Sequence, residues 1–393
     1  MYKLLVSILI LSLNVKAEEF AVSTSSNVMF MKALDLRTSG ITSKRGNDIW
    51  GWTDPETNKE YAIMGMDNKT SFVDVTDPAN PIHLADLKTR TWSSTWRDIK
   101  IYKHYAYIVS EAWRHGMQVV DLHILRTLDG KKVKELKSDI DYRKFGNAHN
   151  IFINEDTGYA YAVGTSTCTG GLHIMDIKNP LEPTFVNCVG RGVYEVPRKD
   201  GDAYTHDVQC VVYNGPDARY LGKEICVSSN EDTVNIVDVT DKSNPYQISV
   251  ATYEGVKYTH QGWLTEDHSY FLVGDELDEQ KFGINTKTFI WDLTDLEDPK
   301  HFASYEHSTK AIDHNMYVKG NYVYQANYEA GLRILDLTDV SKGKLREVGY
   351  MDTMPNSDRA EFNGVWSVFP YYNSGTVVVS GTNGVLYIAK PNL

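Results

Sequence analysis

The chain has 393 residues, with 40 Lys and Arg against 52 Asp and Glu, a net charge of −12 at pH 7. That balance argues against nucleic acid or an anionic membrane as partner, because both are gripped by clustered basic side chains that displace counterions. The 25 Tyr and 8 Trp suit wide sheets and equally suit contacts to sugars or peptides, so composition alone leaves a protein, peptide or glycan partner open.

Taken in chain order, Lys3 precedes an apolar run from Leu4 to Leu13, and Val15-Lys16-Ala17 offers small residues at both ends of a cleavage triplet. This is the layout of a signal peptide over residues 1–17, with an apolar run too short to span a bilayer. Residues 18–393 are then expected to form a single exported domain in the periplasm or outside the cell. No second stretch reaches membrane length, and Ile388 to Leu393 shows no hydrophobic anchor. Cys168, Cys188, Cys210 and Cys226 are an even set in an oxidising compartment. The close pairs Cys168–Cys188 and Cys210–Cys226 are the expected disulfides, against free buried thiols.

A short β-branched or aromatic strand ending in Asp recurs: Phe72-Val73-Asp74, Val119-Val120-Asp121, Ile174-Met175-Asp176, Ile236-Val237-Asp238, Ile290-Trp291-Asp292 and Ile334-Leu335-Asp336. Leu386-Tyr387-Ile388 is a seventh copy without the Asp. Two further strands precede each copy, and the period is about fifty residues. One such meander cannot bury both faces alone, whereas sheets stacked around an axis can. The reading is an all-β, seven-bladed β-propeller with four-stranded antiparallel blades beginning near residues 47, 96, 148, 204, 258, 312 and 363. Six or eight blades are the alternatives. The last unit stops one strand short, and Ala33 to Thr38 is similar to the outer strand Leu84 to Thr89. An N-terminal strand around Val28–Leu36 is therefore expected to close the ring.

These Ile-Val-Asp strands resemble bacterial LVIVD repeats. Trp96-Arg97-Asp98, Gly116-Met117-Gln118, Ala148-His149-Asn150, Tyr204-Thr205-His206-Asp207, Tyr258 to Trp263 and Asp313-His314-Asn315 are similar to the choice-of-anchor B proteins. The resemblance implies an exported propeller and carries no settled activity; the sorting signal common in that family is missing at this C-terminus.

Alignment of the units puts Asp48, Asp98, His149, His206, His260, His314 and Trp366 near the first-strand starts. The innermost strand of a blade lines the axis, so His149, His206, His260 and His314 should meet at one mouth of the channel. Neutral imidazoles backed by carboxylates suit a divalent metal such as Zn, Cu or Fe. Arg97, Asp98, Asp207, Glu111, His115, Asp275, Glu276 and Tyr328 are the expected supporting or ligand-binding residues. The run Asp275 to Glu279 offers oxygen donors to Ca²⁺ but lacks the EF-hand spacing, and a solvated acidic loop is the favoured reading. The Asp-Pro turns read as structural. Neither a Gly-x-Ser-x-Gly elbow, a phosphate loop nor His-Glu-x-x-His occurs, which argues against those chemistries. Three functions follow: a monomeric binding module with its site at that mouth, a metal-dependent hydrolase or oxidase, or histidines that serve blade packing alone. Enzyme or not stays open at this point.

Overall fold

The Asp that closes each repeat is a turn device. In the computed structural model, which describes residues 20–194 and 203–393, Asp74, Asp121, Asp176, Asp238, Asp292 and Asp336 each end a strand. Oδ1 of each accepts a hydrogen bond from the backbone N–H two residues on, at 2.8–3.0 Å. This local bond turns the chain out of the sheet and into the outer strand. The strands leading into these turns, such as Leu172–Asp176 and Val234–Asp238, are buried almost throughout. Sheets packed on both faces require that.

Seven sheets result, and they form a seven-bladed propeller. The inner strands are Gly46–Thr53, Arg97–Tyr102, Asn150–Asn154, Asp207–Val212, Thr259–Leu264, Asn315–Lys319 and Val365–Phe369, opening blades 1 to 7 in chain order. Apolar layers fill the space between neighbours. Between blades 4 and 5, for example, Val227 and Ile236 pack against the cluster of Phe271, Val273 and Trp291. Two sheets exceed the four-strand plan. Lys134–Leu136 leaves blade 2 to pair parallel with the outer strand Ile82–Lys88 of blade 1, and Ser23–Thr24 adds to blade 6.

Val28–Asp35 pairs antiparallel with Val385–Pro391. The ring therefore closes by joining an N-terminal strand to the C-terminal one, in blade 7. Disulfides join Cys168 to Cys188 and Cys210 to Cys226, stapling blades 3 and 4 internally. Among the described residues no helix is long and apolar enough to cross a membrane; the expected signal peptide, 1–17, lies outside them.

Leu36 follows the closing strand, is fully buried, and its N–H bonds the Gly384 carbonyl at 3.1 Å. Leu36→Ala is expected to cost about 2–5 kcal/mol in urea unfolding. A near-neutral result would mean that the N-terminal strand is not part of the closed ring.

Candidate functional site

Because the inner strands run side by side around the axis, residues at their starts become neighbours whatever their separation in sequence. His149, His206, His260 and His314 form an arc across blades 3 to 6. Ring centroids lie 4.1 Å apart for His149–His206, 4.1 Å for His206–His260 and 4.4 Å for His260–His314. Asp48, Arg97 and Trp366 complete the wall of the same small cavity from blades 1, 2 and 7. His206, His260 and His314 are buried and His149 is half-buried.

A carbonyl oxygen only accepts, so a ring nitrogen bonded to one carries the proton. His206 Nδ1 donates to the His260 carbonyl at 2.9 Å, and His314 Nδ1 to the Trp366 carbonyl at 2.5 Å. His149 Nδ1 meets Glu111 Oε1 at 2.6 Å. Burial, reinforced at His206 and His260 by the neighbouring imidazoles, holds those two rings well below their usual pKa, and His314 falls to about 3. Neutral rings with protonated Nδ1 keep a bare lone pair on Nε2.

Glu276 enters from the loop after the second strand of blade 5. Its Oε1 stands 3.7 Å from His260 Nε2 and 3.5 Å from His314 Nε2, beyond hydrogen-bond length. Tyr328 of blade 6 donates its hydroxyl to the same oxygen at 3.0 Å. Burial pushes the Glu276 carboxyl up to about 8. His260, Glu276 and His314 thus bring three ligand atoms within 4.8 Å of one another. Among the described residues one other group does so, His104, Asp121 and His123, around the turn at the other end of blade 2.

Apart from Arg97, which also lines that cavity, the remaining candidates separate from this centre. Arg97 Nη1 donates to His115 Nε2 at 3.1 Å while His115 Nδ1 donates to the Gly116 carbonyl at 3.0 Å; the pair ties the blade 2 loop to its inner strand. Asp98 and Asp207 lie one layer further along the channel. Asp98 binds Lys100 at 2.6 Å and the Ile151 N–H at 2.8 Å, and Asp207 accepts from Asn150 Nδ2 at 2.8 Å. Asp275 accepts from the N–H groups of Lys257 and Tyr258, both at 2.7 Å, and so sets the approach to His260. The acidic run is not a solvated loop. Asp275, Asp278 and Glu279 are buried, because the chain turns into the helix Asp278–Phe282 and Gln280 ties it to the Ala360 carbonyl at 2.9 Å.

Two features of the channel escaped the sequence reading. Lys100 lies among Asp48, Asp98 and the half-buried Asp207 in a polar layer of the channel; inward-pointing polar residues in an inner strand signal such a layer. At the far mouth, Trp50, Phe152, Trp263 and Phe369 help to line a cavity of about 590 Å³. Each of these aromatics lies downstream in its inner strand, away from the histidine end.

Residues 145–189 and 314–353 match the LVIVD repeat. The chain carries LVIVD repeats. The matched segments contain the inner strands of blades 3 and 6, with His149 and His314, and they are consistent with the likeness to choice-of-anchor B proteins. No curated protein matches the chain.

Burial, then the Arg97 charge, depresses His115 to about 3, so the fold admits only its neutral form. Its contribution is complete above the unfolded value near 6.5 and is lost progressively as pH falls from there towards 3. The stability deficit of His115→Gln relative to wild type is therefore expected to shrink by roughly 1.4 kcal/mol per pH unit across that window, read by urea unfolding. A deficit that does not change with pH would contradict a buried neutral ring.

Proposed function

We propose that this chain is an exported binding module whose axial histidine cluster holds one divalent transition metal. His260, His314 and Glu276 are the ligands, and His206 and His149 continue the arc. The observation that carries this reading is the spacing around Glu276. Its oxygen and two imidazole Nε2 atoms face one another at 3.5 and 3.7 Å, too far apart for hydrogen bonds. Two ligands each bound at about 2.1 Å to a tetrahedral metal stand about 3.4 Å apart. Neutral imidazoles with one carboxylate favour Zn, Cu or Fe over Ca²⁺, which takes oxygen shells.

The three ligands leave a coordination position towards the cavity bordered by Trp96, Arg97 and Trp366. A donor group on a peptide, protein or glycan partner completes the shell there. Export is supported by the signal-peptide pattern of residues 1–17 and by the two disulfides, which persist in oxidising compartments. A metal with an open position also supports hydrolytic or oxidative chemistry. Packing alone is the second reading, favoured by the Nδ1 contacts to neighbouring blades.

Elemental analysis of protein purified without a His tag separates these readings. The expected result is about one transition metal per chain, lost when His260→Ala and His314→Ala are combined. Protein that is metal-free, and whose thermal unfolding ignores added Zn²⁺, Cu²⁺ and Fe²⁺, would leave packing as the role of the histidines.

A further inference from the structure

The axial centre leaves three buried carboxylates unused. Asp278 and Glu279 open the helix Asp278–Phe282, and Asp313 stands one residue before His314. Their exposures are 4 %, 1 % and 1 %. Among the described residues, Asp278 Oδ1, both oxygens of Glu279 and both oxygens of Asp313 find no hydrogen-bond partner. A carboxylate removed from water without a donor or a counter-charge is strongly unfavourable. Such groups are paired, protonated or bound to a metal.

Blade 5 is shaped around one of them. A Cβ on Gly274 would lie 1.6 Å from Asp313 Oδ2, so the absent side chain makes room for that carboxylate beside Asp275. Asp313 is thereby held against the strand Tyr270–Asp275, which runs on directly to Asp278 and Glu279.

We propose that a hard divalent cation of the Ca²⁺ class binds among Asp278, Glu279 and Asp313. The donors are all oxygen, which sets this site apart from the imidazole-rich axial centre. The three carboxylates do not all stand within 4.8 Å of one another, so the ion draws them together, and water or backbone carbonyls fill the rest of its shell. Bound there, it ties the blade 5 loop that carries Glu276 to the start of blade 6 that carries His314. Three protonated carboxyls are the competing solution.

The test uses the full chain stripped with EDTA, thermal unfolding with and without Ca²⁺, and calorimetric titration with Ca²⁺. Wild type should take up one Ca²⁺ and unfold at a higher temperature with it. Asp313→Asn should lose that rise, yet unfold without Ca²⁺ at or above the wild-type temperature, because an uncompensated charge is gone. Glu279→Gln should weaken Ca²⁺ binding about tenfold or more, and it decides the matter if Asp313→Asn does not fold. The combined His260→Ala and His314→Ala variant should keep the Ca²⁺ response, which separates this site from the axial one. Wild type indifferent to Ca²⁺, or Asp313→Asn and Glu279→Gln responding as wild type does, would overturn the proposal.

Discussion

The backbone carbonyl of the next blade holds the Nδ1 proton of His206, and another holds that of His314. Each contact does two things at once. It fastens one blade to its neighbour near the axis, and it turns the unprotonated Nε2 of the ring inward. In the proposed centre, packing and ligation by His314 fall to opposite nitrogens of one imidazole. A metal ligand is commonly oriented through its other ring nitrogen in this way; at His206 and His314 the orienting group is the backbone of the neighbouring blade.

Several layers follow one another along the channel. The histidine arc is followed by Lys100 with its neighbouring carboxyl groups, where Asn315 Nδ2 of blade 6 reaches Asp48 Oδ2 of blade 1 at 3.3 Å. Only a narrow axis allows that bridge. Beyond it, Trp50 packs edge-on against Tyr317 and Phe369, with centroids 5.4 and 5.1 Å away, and the aromatic mouth opens. The ionic layer also joins blades: Asp98 caps the Ile151 N–H, and Gln261 caps the Met316 N–H at 2.8 Å. Inner strands that lack room for apolar side chains are held by polar bonds directed along the backbone. Exchanging one such partner for an apolar group leaves a buried polar atom without a mate, which costs more than the bond itself contributes.

The ring was legible in the sequence because its repeating unit ends in a local signal. The Asp of each third strand bonds its own turn, so its chemistry shows without knowledge of the rest of the fold, and the strand missing from the last blade pointed to Val28–Asp35. The histidines were visible for the same reason, since each stands at a fixed place in its unit. What surrounds them was less accessible. Glu276 and Tyr328 were named from their loops, but loop spacing carries no register to show that they meet each other at His260 and His314, and Asp98 and Asp207 point along the channel into a different layer. The acidic run after Asp275 reads as solvated by composition. Its burial depends on a helix of five residues and on a contact to Ala360 that no local pattern announces.

Long-range proton–nitrogen NMR spectra of the metal-free protein, with imidazole ¹⁵N labelling, read the orientation of these rings most directly. His206 and His314 should both appear as neutral rings protonated at Nδ1, with a bare Nε2, and the Nε2 signal of His314 should shift when Zn²⁺ is added. Rings protonated at Nε2 instead, or an Nε2 signal of His314 unmoved by Zn²⁺, would contradict the arrangement from which the site is built.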